Sequence, residues 1–127
     1  MTDQILVVLV EDNEVFREAL ELILGLRAEI RVVASVGDGT EAARVVAELC
    51  PDVVLMDYRL PGLDGVQATR AVLEACPDTA VVCLTAEATP RERDALIAAG
   101  AVGCLEKDEG IDAIVEAVRD AARTTAA

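Results

Sequence analysis

VVLMDYRLPGLDG, residues 53–65, is the stretch of this 127-residue chain that decides its fold. Four apolar residues run directly into the carboxylate of Asp57, and a proline and two glycines follow within eight positions. A short, continuous apolar run bounded by turn residues is typical of a strand that is covered on both faces of a parallel sheet. The charge that ends this strand is either a polar end-residue or helix cap, or a group held there for chemistry.

The composition indicates one domain with an aliphatic core. Hydrophobic residues make up 54% of the chain and aromatic residues only 2%, so valine, leucine, isoleucine and alanine must build the core. We expect residues 1–123 to form the domain and residues 124–127 a tail. No apolar run has the length of a membrane span, and the N-terminus lacks the features of a signal peptide, so we expect a cytoplasmic protein.

Charge and residue usage argue against several classes of function. The formal net charge of −13 repels phosphate backbones, so we expect no direct nucleic-acid binding by this domain. The absence of histidine excludes Ser-His-Asp triads, histidine metal sites and a histidine phosphocarrier. None of the four cysteines belongs to a C-x-x-C pair, which favours buried, reduced thiols over disulfides or a metal site at Cys50, Cys76, Cys83 and Cys104.

Apolar runs and helical patterns alternate along the chain. The runs predict five strands, at residues 5–10, 30–36, 53–56, 80–84 and 102–105. Between them apolar residues recur at helical spacing, and Thr89-Pro90-Arg91-Glu92 has the residues of a capping box. The segments LCPD at 49–52 and ACPD at 75–78 echo each other, each as a helix end, a proline break and a strand start. Right-handed crossovers put helices on both faces, so the pattern predicts a three-layer α/β sandwich with a parallel sheet.

Polar side chains follow the predicted strands at the points where the strands end. They are Glu11 and Asp12 after the first strand, Asp57 after the third, Thr85 after the fourth and Lys107 after the fifth. In a parallel α/β sheet the carboxyl ends of the strands share one edge, and ligands bind there. Lys107 is the only lysine beside ten arginines, which indicates that a compact cation is required at its position.

This set of side chains predicts phosphoryl-transfer chemistry. Carboxylates at close range repel one another unless a cation offsets them, and oxygen ligands of this number suit Mg²⁺. Asp57 is then a carboxylate nucleophile for a phosphoryl group, while Asp12 and Glu11 help to hold the metal. Lys107 pairs with one phosphoryl oxygen, and Thr85 donates a hydrogen bond to another.

The sequence resembles the receiver domain of a two-component response regulator along its whole length. The resemblance rests on VLVEDN, MDYRLPGLDG, CLTA and CLEKD in this order and spacing. It implies a flavodoxin-like (βα)5 fold with strand order 2-1-3-4-5, Asp57 as the phosphoacceptor, and the backbone carbonyl of Arg59 as a further Mg²⁺ ligand. It also assigns Pro61 and Gly65 to the loop that follows the phosphorylated aspartate.

The resemblance implies a biological context as well. A sensor histidine kinase would donate the phosphoryl group, and the domain would be a signalling module that catalyses only its own phosphoryl transfer and slow autodephosphorylation. The Lys-Asp pair at 107–108 resembles the NarL/FixJ type, whose members often carry a C-terminal helix-turn-helix, so transcriptional regulation is the expected output. Residues 89–99, 102–106 and 111–123 would form the signalling face.

One position departs from the family pattern. Three residues before the lysine the family usually has Tyr or Phe, which responds when the threonine moves, and this chain has Cys104. We therefore expect a monomer, or at most a weak phosphorylation-dependent dimer through the signalling face. A pseudo-receiver that binds partners without control by phosphorylation is the alternative function. We also expect an ion pair between Arg59 and Glu87 across the site.

Two other classes of function fit the sequence less well. A phosphatase of the haloacid dehalogenase type needs Asp-x-Asp after the first strand, and a flavodoxin needs a phosphate loop rich in Ser, Thr and Gly. The run EDNEVF at residues 11–16 matches neither. Asp64 beside Gly65 is interpreted as a helix cap rather than a ligand.

Overall fold

Five strands alternate with five helices in the computed structural model, which describes residues 4–60 and 62–126, with side chains described through residue 123. The strands are β1 (Ile5–Val10), β2 (Ile30–Val36), β3 (Val53–Met56), β4 (Ala80–Thr85) and β5 (Gly103–Glu106). The helices are α1 (Glu14–Gly25), α2 (Gly39–Leu49), α3 (Gly65–Ala75), α4 (Pro90–Ala98) and α5 (Ile111–Ala126), and a short 3-10 helix covers Lys107–Glu109. Pro61, which the resemblance assigns to the loop after Asp57, lies outside the described residues. Within the described part of the chain, no helix has both the length and the apolar character needed to span a bilayer.

The strands form one parallel sheet in the order β2-β1-β3-β4-β5. At the centre, Val53 of β3 lies opposite Val7 of β1 on one side and opposite Ala80 of β4 on the other. Parallel neighbours need crossover connections, and the helices provide them. The predicted flavodoxin-like α/β sandwich and its strand order 2-1-3-4-5 are confirmed.

The burial of β3 explains why its sequence does not alternate. Val53 and Leu55 belong to the core cluster beneath α1 and α5, whereas Val54 and Met56 belong to the opposite cluster beneath α2, α3 and α4. All four side chains are at most 2% exposed. Because successive residues of a strand point to opposite faces, a strand covered on both sides must be apolar at every position.

The chain turns from β3 into α3 over a short distance. Asp64 accepts a hydrogen bond from the N–H of Gln67, and the Gln67 side chain accepts one from the N–H of Asp64, which confirms the predicted cap. The Gly65 N–H donates to the Tyr58 carbonyl at 2.7 Å. A Cβ on Gly65 would lie 2.7 Å from Tyr58 Cα, so glycine lets α3 begin this close to the residues that follow β3.

The bounds of the later elements differ slightly from the prediction. The capping box at Thr89 is present and α4 begins directly after it. β5 begins at Gly103, one residue later than predicted, and continues through Glu106. Helix α5 extends to Ala126 and includes residues that were expected to form a tail. The domain boundary at residue 123 stays a prediction.

Candidate functional site

The carboxyl ends of β1, β3 and β5 bring one ammonium group to two carboxylates. Lys107 Nζ lies 2.5 Å from Glu11 Oε1 and 3.6 Å from Asp57 Oδ2. Glu11 is 3% exposed and Asp57 is 7% exposed, so both carboxylates are almost entirely withdrawn from water. The shared ammonium offsets part of the cost of burying these charges, because opposite charges attract strongly where water is excluded.

Asp12 adds a third carboxylate to this group. Ligand oxygens of Glu11, Asp12 and Asp57 all lie within 4.8 Å of one another. Asp12 is exposed, whereas the other two side chains are buried. Three carboxylate oxygens at this spacing, with one of them open to solvent, suit a hard divalent cation. The donor set therefore fits the Mg²⁺ that the sequence predicts.

The electrostatics of the group centre on Asp57. Its pKa is raised from 3.8 to about 7, first because burial disfavours the charged form. The hydrogen bond with Glu11 and the negative charge of Glu11 act in the same direction. The Lys107 charge and the Arg59 N–H, whose nitrogen lies 3.4 Å from Asp57 Oδ1, oppose them. Two carboxylates thus compete for one ammonium, and an additional cation would relieve this competition.

Residues at the start of α1 hold Glu11 and Lys107 in place. The Asn13 N–H donates to Glu11 Oε2 at 2.9 Å, and the Arg17 guanidinium donates to the Glu11 carbonyl at 2.7 Å. Lys107 Nζ lies 4.5 Å from the centroid of the Phe16 ring, a cation–π contact. No motif in the sequence predicts that Asn13, Phe16 and Arg17 contact these groups. Phe16 is the only phenylalanine in the chain, but its helical spacing assigned it to the core.

Thr85 ends β4 beside this group. It is 1% exposed, and its hydroxyl donates to the Glu87 carbonyl at 3.2 Å. Since Met56 is in register with Cys83, Thr85 lies one residue beyond the level of Asp57 on the neighbouring strand. The structure therefore brings Thr85 to the sheet edge where the carboxylates meet.

Arg59 pairs with a different acid from the one expected. Its guanidinium lies 3.8 Å from a carboxylate oxygen of Glu92, not beside Glu87. Glu92 also accepts a hydrogen bond from the Thr89 N–H at 2.9 Å, so the capping box of α4 fixes its position. Glu87 is exposed in the loop before that helix. The predicted Arg59–Glu87 pair is wrong because the first turn of α4 presents the nearer carboxylate.

Cys104 occupies the position at which the sequence departs from the family pattern. It is half-buried and packs against the core cluster beneath α2, α3 and α4. Cys83 lies directly opposite on β4 and is fully buried. Arg93 of α4 donates to the Cys104 carbonyl at 3.4 Å and pairs with Glu106 at 3.0 Å. The small side chain thus lies beneath an ion pair that joins α4 to β5.

The chain is similar to known proteins over nearly its whole length. The family model described as the response regulator receiver domain matches residues 7–119. The transcriptional regulatory protein named NarL in Mycobacterium tuberculosis is 36% identical over 121 residues, which cover 95% of this chain and 56% of that protein. DegU of Brevibacillus brevis, also a transcriptional regulatory protein, is 36% identical over 117 residues, which cover 92% of this chain and 50% of that protein.

A solved structure extends the similarity to three dimensions. The signal receiver domain of NarL from Mycobacterium tuberculosis superposes with a TM-score of 0.90 at 36% identity, covering 95% of this chain and 98% of that domain. The chain spans about half the length of the curated relatives it matches.

Replacing Asp57 by asparagine is expected to stabilise the metal-free protein increasingly as the pH rises. The folded-state pKa of about 7 lies above the ordinary value of 3.8, so the wild-type chain loses stability as the pH rises through this interval. Asparagine cannot ionise and avoids this loss. Urea unfolding in the presence of a chelator, at about pH 5 and about pH 8, measures the difference. A stability advantage of Asp57→Asn that does not grow between the two conditions would contradict the raised pKa.

Proposed function

Because the chain belongs to the family of response regulator receiver domains, we propose that it is a signalling receiver that accepts a phosphoryl group on Asp57. The observation that carries the proposal is the burial of Asp57 and Glu11 around the ammonium of Lys107. A buried ion pair is weak evidence for a stabilising role, and a carboxylate whose pKa is raised by burial and by a second carboxylate is typical of a functional site.

Asp57 is the nucleophile in the proposed reaction. One of its oxygens forms a bond to phosphorus while the bond from phosphorus to the leaving group of the donor breaks, and the leaving group takes that electron pair. The donor is the phosphohistidine of a sensor kinase, or a small acyl phosphate in its place. Because β3 is packed on both faces, it holds the nucleophile at a fixed position on the open edge of the sheet.

Lys107 and Thr85 act on the transferred group. Lys107 Nζ already lies 3.6 Å from Asp57 Oδ2, so a phosphoryl oxygen on Asp57 is within reach of this ammonium. The Thr85 hydroxyl donates to the Glu87 carbonyl at 3.2 Å, and turning it to a phosphoryl oxygen would release the loop that carries Glu87. That exchange of hydrogen-bond partners is the proposed first conformational consequence of phosphorylation.

Glu11, Asp12 and Asp57 are the side chains that would hold Mg²⁺, with the backbone carbonyl of Arg59 as the ligand implied by the family resemblance. When bound, the ion neutralises negative charge on the carboxylates and the phosphoryl oxygens. The residues contribute by position: Asn13 and Lys107 fix the Glu11 carboxylate, which keeps it turned toward Asp57. Asp12 is exposed to solvent, so the ion would enter the site from the side of Asp12.

The partners follow from the similarity to full-length regulators. A sensor histidine kinase is the proposed donor, and a C-terminal helix-turn-helix domain the proposed output, since the similar NarL and DegU proteins are transcriptional regulators of about twice the matched length. This domain, with its net charge of −13, leaves nucleic-acid contact to that output. The proposed location is the cytoplasm, and the catalysis is limited to its own phosphoryl transfer and slow autodephosphorylation.

A pseudo-receiver is the second candidate, and Cys104 is the observation that favours it. A small thiol replaces the large side chain that would follow the movement of Thr85. One of the side-chain movements that would couple the site to α4 and β5 is therefore missing. The two candidates differ in whether Asp57 is modified at all.

Acetyl phosphate with Mg²⁺ is expected to add one phosphoryl group to the chain, and a chelator is expected to abolish the addition. The reason is that the carboxylates repel the incoming phosphoryl oxygens when no metal offsets their charge. Intact-mass spectrometry of the treated protein measures the addition directly.

Two variants make this result specific. Asp57→Asn should remain unmodified, whereas Asp64→Asn in the same loop should be modified like the wild type, because asparagine also caps helices well. No phosphoryl addition to the wild type would favour the pseudo-receiver. Equal addition to Asp57→Asn would contradict the assignment of the phosphoacceptor.

The Arg59–Glu92 ion pair is expected to change the lifetime of the aspartyl phosphate only modestly. The pair lies beside the site, and its Arg59 side chain is 76% exposed, so it shields the phosphate weakly. Glu92→Gln keeps the capping box but removes the charge, and it should change the hydrolysis rate by about two- to fivefold. Glu87→Gln is the matched control and should leave the rate unchanged. The account of the pair fails if the two variants behave alike.

Association is expected to be weak and dependent on phosphorylation. The proposed face consists of residues 89–99, 102–106 and 111–123, and Cys104 removes a large side chain whose movement would favour the dimer in one state only. Sedimentation of the protein treated with beryllofluoride should therefore show monomer, or dimer only at high concentration, and Cys104→Tyr should strengthen the response. A tight dimer of the wild-type protein that forms only on activation would refute this expectation.

A further inference from the structure

Two cysteines lie near each other at the amino-terminal end of the strands, the end opposite to Asp57. A hydrogen bond between the Cys50 and Cys76 side chains shifts the pKa of each thiol. Cys50 is exposed, so the burial predicted for it is wrong, and Cys76 is 8% exposed. Both thiols are free. The pair is therefore a dithiol in which one sulfur is open to solvent.

The folding of two similar segments brings these cysteines together. Cys50 caps the end of α2 and Cys76 caps the end of α3, and the strands that follow, β3 and β4, are neighbours in the sheet. Thr79 connects the two turns: its N–H donates to the Cys76 carbonyl at 3.1 Å, and its hydroxyl donates to the Pro51 carbonyl at 2.8 Å. The similar segments LCPD and ACPD therefore lie next to each other in the structure.

The backbone of Cys50 has a conformation that residues other than glycine seldom adopt. Its φ of 40° and ψ of 65° are in the left-handed region that favours glycine at the end of a helix. Among the described residues other than glycine, no other has a positive φ. An exposed cysteine in this conformation gains little from packing, so packing does not account for it.

The surroundings lower the pKa of Cys76 and raise that of Cys50. Hydrogen bonds from Cys50 and Thr79 lower the pKa of Cys76 and outweigh the opposing effect of burial. The pKa of Cys50 is raised, chiefly by its hydrogen bond with Cys76. Since the thiolate is the nucleophile in thiol–disulfide exchange, the lowered pKa makes Cys76 the better nucleophile toward an oxidised Cys50.

We propose that Cys50 and Cys76 are a site of reversible oxidation, at which a low-molecular-weight disulfide such as glutathione disulfide joins them in an intramolecular disulfide. The exposed Cys50 sulfur loses its proton to water and attacks one sulfur of the oxidant, and the first glutathione leaves as a thiolate that takes up a proton. The Cys76 thiolate then attacks the Cys50 sulfur, the mixed S–S bond breaks, and the second glutathione leaves. Two electrons pass from the cysteine sulfurs to the oxidant, and two protons accompany them.

The other two cysteines serve as internal controls. Cys83 is fully buried, and burial raises its pKa to about 12, which keeps it protonated and unreactive. Cys104 is half-buried, and burial raises its pKa as well. The dithiol also lies at the edge opposite to Asp57, so its oxidation can be tested without reference to phosphorylation.

The test treats the folded protein with glutathione disulfide, alkylates the remaining thiols after unfolding, and maps the peptides by mass spectrometry. The wild type should lose two hydrogens in mass, with residues 50 and 76 joined and unalkylated and Cys83 and Cys104 fully alkylated. Dithiothreitol should restore alkylation of all four cysteines. Cys50→Gly, which suits the left-handed backbone, should fold and lose the cross-link, whereas Cys104→Ser should keep it.

Three outcomes would overturn the proposal. The first is a stable mixed disulfide between glutathione and Cys50 without the internal bond. The second is a dimer of two chains joined through Cys50. The third is full alkylation of both cysteines after treatment, which would show that the contact between the two sulfurs does not lead to oxidation.

Discussion

The arrangement of the candidate functional site depends on one ammonium group that two buried carboxylates share. Lys107 contacts both Glu11 and Asp57, which follow the neighbouring strands β1 and β3. Leaving either carboxylate buried and unpaired would cost several kcal/mol (~3–5 kcal/mol when one partner of a buried pair is removed). The cost is tolerated because β1 and β3 are packed on both faces and cannot move apart to hydrate the charges. The same constraint keeps Asp57, the proposed nucleophile, in one place and leaves a deficit of positive charge that a divalent ion and Lys107 together can offset.

Local sequence patterns were sufficient to predict most of the fold. The continuous apolar run at residues 53–56 required burial on both faces, and the caps at Asp64 and Thr89 depend on residues within one helical turn. The convergence of Glu11, Asp12, Asp57, Thr85 and Lys107 also followed, because the carboxyl ends of parallel strands share an edge. Each of these inferences needs only chain order and the direction of the strands.

What the sequence did not predict depends on distances between elements. The partner of Arg59 is Glu92 rather than Glu87 because of where the first turn of α4 lies relative to β3. The contact between Cys50 and Cys76 depends on the pairing of β3 with β4, which brings two helix ends to one place. No periodicity in the sequence contains this information. The two ends of the sheet therefore carry different chemistry: carboxylates around Lys107 at one edge and a dithiol at the other.

The central claim is that the carboxylate of Asp57 receives the phosphoryl group. Reduction of the acyl phosphate with borohydride, after treatment with acetyl phosphate and Mg²⁺, converts the modified aspartate into homoserine and marks its position permanently. Peptide sequencing by mass spectrometry should then find homoserine at position 57 alone. Reduction at Asp12 or at any other carboxylate, with an intact aspartate at position 57, would contradict the account.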